Sequence, residues 1–418
     1  MKNKALRLYG KKDLRLEEFE MPDIKEDEIL AKVVTNSVCM STYKTALQGA
    51  DHKRVPDNVA ENPTITGHEF AGEILEVGEK WQDQFSAGQK FTVQPALEYE
   101  GSSYAAGYSY QYFGGNSQYV IIPPEVMELG YLLKYDGESY FEASLAEPVA
   151  CVIAGYKTVY HTHPKDYGHD HGIVEDGKMA LFGAAGPMGL AAIDYAVHAE
   201  KTPSLLVVTD VNQQRLDRAK RIFHKEDAAA NGVELHFVNP NDLDDTVAEL
   251  NAMTDGEGFD DLFVYAPVRE LVEQGDQLLA QDGCLHFFAG PTDKDFSAEV
   301  NFYDVHYSAT HFTGSSGSND QDMKDALKLF EKGSLNPAKM ITHIGGLDSA
   351  EGVILDLPNL PGAKKLIYTD IEMELTALSD LKEKGEENPL FAELAQIVEA
   401  NNGLWSRKAE EFLLENLS

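Results

Sequence analysis

A thiol, an imidazole and two carboxylates follow one another along the first third of the chain. They are Cys39 in Cys39-Met40-Ser41-Thr42, His68 and Glu69 in Gly67-His68-Glu69, and Glu147 in Glu147-Pro148. A soft thiolate, an imidazole and a carboxylate suit zinc, and three protein ligands leave a fourth position for water or substrate. Taken singly each residue says little, because a buried cysteine is more often a packing residue than a ligand. Together and in order they read as a metal site.

A second constellation lies further on, in Leu181-Phe182-Gly183-Ala184-Ala185-Gly186-Pro187-Met188-Gly189-Leu190. It follows a strand-like run and opens a helix-like one. Glycines at such a turn let the backbone approach a pyrophosphate, and the helix N-terminus offers free N–H groups and a favourable dipole. The Gly-x-Gly-x-x-Gly pattern is imperfect, since Ala184 takes the first glycine position and Gly183 precedes it. Asp210 ends the next strand-like run, 21 residues after Gly189, where a carboxylate accepts hydrogen bonds from a ribose. An acid there repels a 2′-phosphate, so NAD(H) is expected over NADP(H). Arg215, Ala266 and Gly290 join Gly183, Ala184, Gly186, Pro187, Met188, Gly189 and Asp210 as candidate cofactor-binding residues.

The elements that must hold these residues change in texture along the chain. Up to about residue 155, short strands alternate with Gly and Pro turns, at Glu28–Val34, Gly72–Val77, Lys90–Val93 and Gln118–Ile122, which predicts a mostly β domain. From about residue 178 apolar runs (Met179–Phe182, Leu205–Thr209, Leu235–Val238, Asp261–Tyr265, Cys284–Ala289) alternate with helical stretches (Pro187–His198, Gln213–Ile222, Leu243–Met253, Arg269–Ala280). That alternation predicts a doubly wound parallel sheet with helices on both faces, an α/β domain of Rossmann type. Residues 156–310 are assigned to it. A helix at Gln321–Lys332 and strands near Ile341–Ile344 and Lys365–Tyr368 are read as returning to the first domain, so that 1–155 and 311–370 form one body. Residues 371–418 read as a C-terminal helical extension. Asn388-Pro389 starts one helix, Gly403 stops it, and Ser406 caps the next.

Composition narrows the partners. Seventy acidic residues against 35 basic ones give a formal charge of -35, which argues against nucleic acid and anionic membranes, since phosphate neutralisation needs clustered Lys and Arg. The charged N-terminus lacks a signal peptide's apolar stretch, no run is long enough to span a membrane, and three scattered cysteines do not make a disulfide framework. A cytoplasmic protein is expected. His161, His163, His169 and His171 lie in a polar stretch read as a solvated loop.

The order Cys-x-Ser/Thr, Gly-His-Glu, Glu-Pro and then a Gly-rich nucleotide turn resembles the zinc-dependent medium-chain dehydrogenases, the alcohol and polyol dehydrogenase family, over about residues 1–370. The resemblance implies a GroES-like catalytic domain beside the Rossmann domain, one catalytic zinc and a homo-oligomer, dimer or tetramer. It makes Cys39 and His68 ligands and Ser41 a proton carrier, and leaves open whether Glu69 or Glu147 binds the metal directly. Two departures stand out. Residues 94–118 hold no cysteine, so no structural zinc is expected, and Lys44 stands where the family often has a relay histidine. The catalytic candidates are therefore Ser41, Lys44 and Glu69.

The Glu-Pro pair resembles the polyol branch. Residues 39–44, Asp51-His52-Lys53-Arg54-Val55-Pro56, 301–314 and 401–405 resemble the L-sorbose-1-phosphate reductases of that family. This implies NADH-linked reduction of a ketose phosphate to a hexitol phosphate, or the reverse. Lys44, Lys53 and Arg54 form a basic island able to hold a substrate phosphate, though surface loops carry such charges too. His306, Tyr307 and His311, read as strand residues, either line the site or pack against neighbours. The rival readings are a dehydrogenase of an unphosphorylated polyol and a nucleotide-binding protein without turnover.

Overall fold

Leu205-Leu206-Val207-Val208-Thr209 is an unbroken β-branched and aliphatic run, and it forms a strand buried along its whole length. That is what a central strand of a parallel sheet requires, because helices cover both of its faces. The structure, a computed structural model, describes residues 1–163 and 165–417. It divides into two units: Met1–Pro148, Met323–Glu331 and Ile341–Ser418 in one, Val149–Asp322 and Lys332–Met340 in the other.

In the second unit six parallel strands lie in the order Glu234–Val238, Leu205–Thr209, Lys178–Phe182, Phe259–Val264, Leu279–Phe287, His311–Gly314. This is the doubly wound order whose reversal point, beside Lys178–Phe182, takes a nucleotide. Helix Pro187–His198 begins with proline at its first turn and buries Leu190, Ile193 and Val197. Helix Gln213–Ile222 is capped by Asn212, whose side chain accepts from the Arg215 N–H.

In the first unit an eight-stranded sheet runs Thr376–Ala377, Ile341–Gly346, Lys364–Tyr368, Ile29–Ser37, Glu69–Val77, Lys90–Val93, Leu132–Lys134, with Tyr119–Ile122 also paired to Ile29–Ser37. A smaller sheet holds the hairpin Lys2–Gly10 and Asp13–Glu20. One core cluster of this unit includes Val33, Phe70, Phe91 and Phe113, and the hairpin residues Leu6, Leu8 and Leu14 pack in another with Val38 and Ile367.

Three expectations need correction. The return to the first body does not start at residue 311, because His311–Gly314 pairs in parallel with Cys284–Phe287 as the sixth strand of the nucleotide-type sheet. The expected boundary at 155 falls inside helix Ala146–Thr158. Residues 302–307 are a helix, Phe302–Tyr307, capped by the Asn301 side chain on the Tyr303 N–H. His306 and Tyr307 are accordingly exposed, and His311 bonds Asp282 at 2.8 Å.

The last residues pack as part of the first unit. Helices Pro389–Ala400 and Arg407–Leu417 start at the Asn388 and Ser406 caps. Between them Trp405 is fully buried and donates its indole N–H to the Tyr368 hydroxyl at 2.8 Å.

Candidate active site

Strand Ile29–Ser37 ends two residues before Cys39, which is the extended N-cap residue of helix Met40–Gln48. Glu69 opens the neighbouring strand directly opposite Ser37. On the other side Leu366 of strand Lys364–Tyr368 pairs with Ser37. Three strands of one sheet therefore bring the start of one helix, a carboxylate and Lys364 to one place.

Donor atoms of Cys39, His68 and Glu69 all lie within 4.8 Å of one another, and the three form the one such metal-capable group found among the described residues. Zinc bonds of about 2.0–2.3 Å in a tetrahedron set donors somewhat closer than this, so a small inward movement suffices. His68 and Glu69 are buried and Cys39 is half-buried. Glu147, the other carboxylate left open by the sequence, is half-buried at the start of helix Ala146–Thr158, outside that group.

The protonation of the donors follows from their surroundings. Burial, then the Glu69 charge, pushes the Cys39 thiol up to about 12. Burial, then Lys364, depresses His68 to about 3, so its ring is neutral with a lone pair to give. A thiol beside a divalent cation is deprotonated outright. The donor chemistry fits zinc.

Lys364 was not legible in the sequence. Its ammonium bonds both Glu69 oxygens at 2.6 and 2.5 Å, across 295 residues. Burial lowers the lysine's proton affinity, but Glu69 and Cys39 outweigh it and the ammonium stays charged. The Ser37 hydroxyl also donates to Glu69. Thr42 and Tyr108 were missed too. Thr42 Oγ1 is 3.4 Å from His68 Nδ1, and Tyr108 Oη is 3.5 Å from His68 Nε2.

Of the catalytic candidates, Ser41 lies in the first turn of helix Met40–Gln48, with Oγ 3.4 Å from Cys39 Sγ. Lys44 is half-buried one turn further along the same helix. The basic island divides. Lys53 is exposed, whereas Arg54 is half-buried, with its guanidinium carbon 5.4 Å from the Tyr108 ring centre. His52 stacks on the same ring at 5.4 Å and 16°.

In the second unit the nucleotide-type turn has the backbone that its glycines permit. Gly183 sits at φ +65°, and a Cβ on Gly189 would meet the Ala184 carbonyl oxygen at 2.0 Å, so helix Pro187–His198 can start close against the turn only with glycine there. Gly186, Pro187 and Met188 form the cap and first turn of that helix. Asp210 is buried and accepts the N–H groups of Ala185 at 3.0 Å and Asn212 at 2.9 Å. Ala266 and Gly290 lie just past the carboxyl ends of their strands, the edge where such sheets bind ligands. Arg215 is exposed on the next helix.

The histidine group is solvated as expected at His163, His169 and His171, but it forms a hairpin and not a loop. Tyr160–Thr162 and His169–His171 pair as an antiparallel hairpin, with His169 stacked on Tyr160 at 4.3 Å. His161 bonds Asp261 at 3.2 Å and the Asp282 carbonyl at 3.0 Å. No helix among the described residues is long and apolar enough to cross a membrane.

Comparison with known proteins agrees with this geometry. Residues 25–129 match the alcohol dehydrogenase GroES-like domain and residues 187–332 the zinc-binding dehydrogenase domain. The chain is 49% identical over 408 residues to mannitol-1-phosphate 5-dehydrogenase of Aliivibrio fischeri, covering 98% of this chain and 96% of that one. It is 47% identical over 411 residues to L-sorbose 1-phosphate reductase of Klebsiella pneumoniae, covering 98% and 97%. The crystal structure of 2R,3R-butanediol dehydrogenase from Bacillus subtilis shares the fold at TM-score 0.71 and 24% identity, over 88% of this chain and 99% of that one. A largely buried Cys-His-Glu group lies within the matched GroES-like region, the glycine turn at the switch point of a Rossmann sheet leads into the matched dehydrogenase region, and the chain belongs to the zinc-binding alcohol dehydrogenase family.

Proposed function

We propose that the protein interconverts a ketose phosphate and a hexitol phosphate with NAD(H), with L-sorbose 1-phosphate and glucitol 6-phosphate as the first pair to test. The observation that carries the phosphate is Arg54. It is half-buried, and among the described residues no carboxylate pairs with it, in a chain of net charge -35. A half-buried guanidinium kept apart from the abundant acids is suited to an anionic ligand. Two relatives that share nearly the whole chain act, by their names, on phosphorylated substrates.

Cys39 and His68, with Glu69 as the nearer carboxylate and Glu147 as the further one, would hold the zinc. Zinc, when bound, supplies a Lewis acid for a carbonyl oxygen, and the nicotinamide supplies the hydride. Ser41 stands beside Cys39 and within hydrogen-bonding reach of Tyr108, placed to give the developing alkoxide its proton and to take it back in the reverse direction. Thr42 and Tyr108 each lie beside one ring nitrogen of His68; the nitrogen turned away from the zinc would keep its hydroxyl partner and orient the ring, while the other gives its lone pair to the metal. Asp210 favours NAD(H), because its buried carboxylate repels a 2′-phosphate. Lys44 remains the candidate second proton carrier on the same helix.

The test is NADH oxidation by the zinc-loaded protein with L-sorbose 1-phosphate and with free L-sorbose. A preference for the phosphate is expected. Equal or faster turnover of the free sugar would make the protein a dehydrogenase of an unphosphorylated polyol. Cys39→Ser is expected to lose both zinc by metal analysis and turnover while still binding NADH, and turnover by metal-free Cys39→Ser would overturn the zinc site.

A further inference from the structure

His286, one residue before the end of strand Leu279–Phe287, is fully buried in the second unit. Its ring centre lies 5.1 Å from that of Phe263, and a Cβ on Gly155 of helix Ala146–Thr158 would meet its Nε2 at 3.2 Å. An aliphatic side chain would fill such a place without desolvating two nitrogens. Both nitrogens instead face hydroxyls of the neighbouring strand and its exit. Nδ1 is 2.9 Å from Thr313 Oγ1, and Nε2 is 3.1 Å from Ser315 Oγ. Burial depresses the ring's pKa to about 4, so the ring is neutral and offers one N–H and one lone pair. One hydroxyl therefore accepts from the ring and the other donates to it.

We infer that His286 is a positioning residue for the nicotinamide end of the cofactor, acting through Ser315. The inference rests on the NAD(H) reading above. A dinucleotide-binding sheet is built of two halves, and its ligand crosses the carboxyl edge from one half to the other. Asp210 directly follows Leu205–Thr209, in the half that also holds Glu234–Val238 and Lys178–Phe182. With the adenosine ribose there, the nicotinamide falls to the other half, formed by Phe259–Val264, Leu279–Phe287 and His311–Gly314. Ser315 is the first residue past the last of these strands and is half-buried, so it belongs to the edge that the nicotinamide meets.

That edge needs holding. Among the described residues, His311–Gly314 has a strand neighbour on one side only, Leu279–Phe287. An edge strand has half the ladder of a central one, and its exit has less still. Thr313 pairs with His286 in register, and Ser315 follows two residues on, the spacing that returns a side chain to the same face. One buried ring thus fastens both hydroxyls and fixes the height at which the chain leaves the sheet. Phe263 and Gly155 leave the ring little room to turn.

The experiment measures calorimetric binding of NADH and of ADP-ribose, which carries no nicotinamide, to wild type, His286→Leu, Ser315→Ala and the double variant. Each single variant should weaken NADH about 3- to 10-fold, the range of a lost neutral hydrogen bond. ADP-ribose should bind all four proteins alike. The double variant should bind NADH no more weakly than His286→Leu, because residues that share one contact do not add. Ser315→Ala removes a single half-buried hydroxyl, so it reports on positioning even where His286→Leu folds poorly. Equal weakening of NADH and ADP-ribose would reduce His286 to a support of the whole unit and overturn the inference. So would unchanged NADH affinity in Ser315→Ala, or losses that add in the double variant. Wild type that binds NADPH but not NADH would overturn the NAD(H) reading alone; NADPH and its nicotinamide-free counterpart would then carry the same comparison, with the same outcomes deciding it.

Discussion

Replacing Glu410 by glutamine should change how the first unit's stability depends on pH. The Glu410 carboxylate is 2% exposed. It accepts the backbone N–H groups of Tyr140 at 2.7 Å and Phe141 at 2.9 Å, and the Tyr368 hydroxyl at 3.0 Å. It thus ties the C-terminal helix Arg407–Leu417 to the start of helix Tyr140–Ser144 and to the end of strand Lys364–Tyr368. Burial is the largest influence and lifts its pKa from 4.5 to about 7. The three hydrogen bonds work against that rise, and the nearby Glu142 adds to it. A carboxyl whose folded pKa is raised binds its proton more tightly when folded. Its contribution to stability is therefore complete below about pH 4.5 and is lost as pH rises to about 7. At 1.36 kcal/mol per unit, the span corresponds to about 3 kcal/mol.

Glutamine cannot ionise, so the difference in unfolding free energy between wild type and Glu410→Gln should shift against wild type by about 3 kcal/mol between pH 4.5 and 7.5. A constant offset rides on top, because the glutamine amide turns a donor toward a site that presents three donors. The readout is tryptophan emission during urea unfolding, since both tryptophans, Trp81 and Trp405, belong to this unit. Taking the difference between the two proteins removes the many other carboxylates that titrate in the same range. A difference that stays flat from pH 4.5 to 7.5 would show that Glu410 ionises freely, and the reasoning from burial would fail.

Two further outcomes follow from close contacts. Lys364→Met leaves the Glu69 carboxylate buried without its cation, and breaking such a pair costs about 3–5 kcal/mol. Urea unfolding in the presence of a chelator should show it, and a loss under about 1 kcal/mol would mean that another group neutralises Glu69. Gly189→Ala drives a methyl into the Ala184 carbonyl oxygen, which should destabilise the second unit by about 1–3 kcal/mol and weaken NADH at least about tenfold in a fluorescence titration. Unchanged NADH affinity would remove this turn from the nucleotide site.

Local pattern carried much of the architecture. The bounds of Leu205–Thr209, Pro187–His198 and Gln213–Ile222 were readable from an unbroken apolar run, a proline start and helical periodicity. The caps Asn388 and Ser406 were readable from residue type alone. Where a local signal was overlooked the reading failed. Asn301 caps Phe302–Tyr307 through the Tyr303 N–H, yet the aromatic alternation beyond it suggested a strand. His311–Gly314 was placed in the wrong body because a short parallel edge strand carries no mark of which sheet it joins.

The metal-capable group was legible for a different reason, and its surroundings were not. Zinc accepts few residue types, so Cys39, His68 and Glu69 stand out by chemistry even when 29 residues separate the first two. A counter-charge has no such restriction, and any of the chain's 35 basic residues could have faced Glu69. Lys364 does so because Ile29–Ser37 has Glu69–Val77 on one side and Lys364–Tyr368 on the other, a pairing fixed 295 residues away in sequence. Tyr108 reaches His68 across 40 residues by the same kind of accident of topology. The donors are thus set by what a metal will accept, while the protonation and orientation of those donors are set by sheet order. That second layer also sets a half-buried Arg54, which pairs with no carboxylate among the described residues, against the same Tyr108 ring that packs on His68.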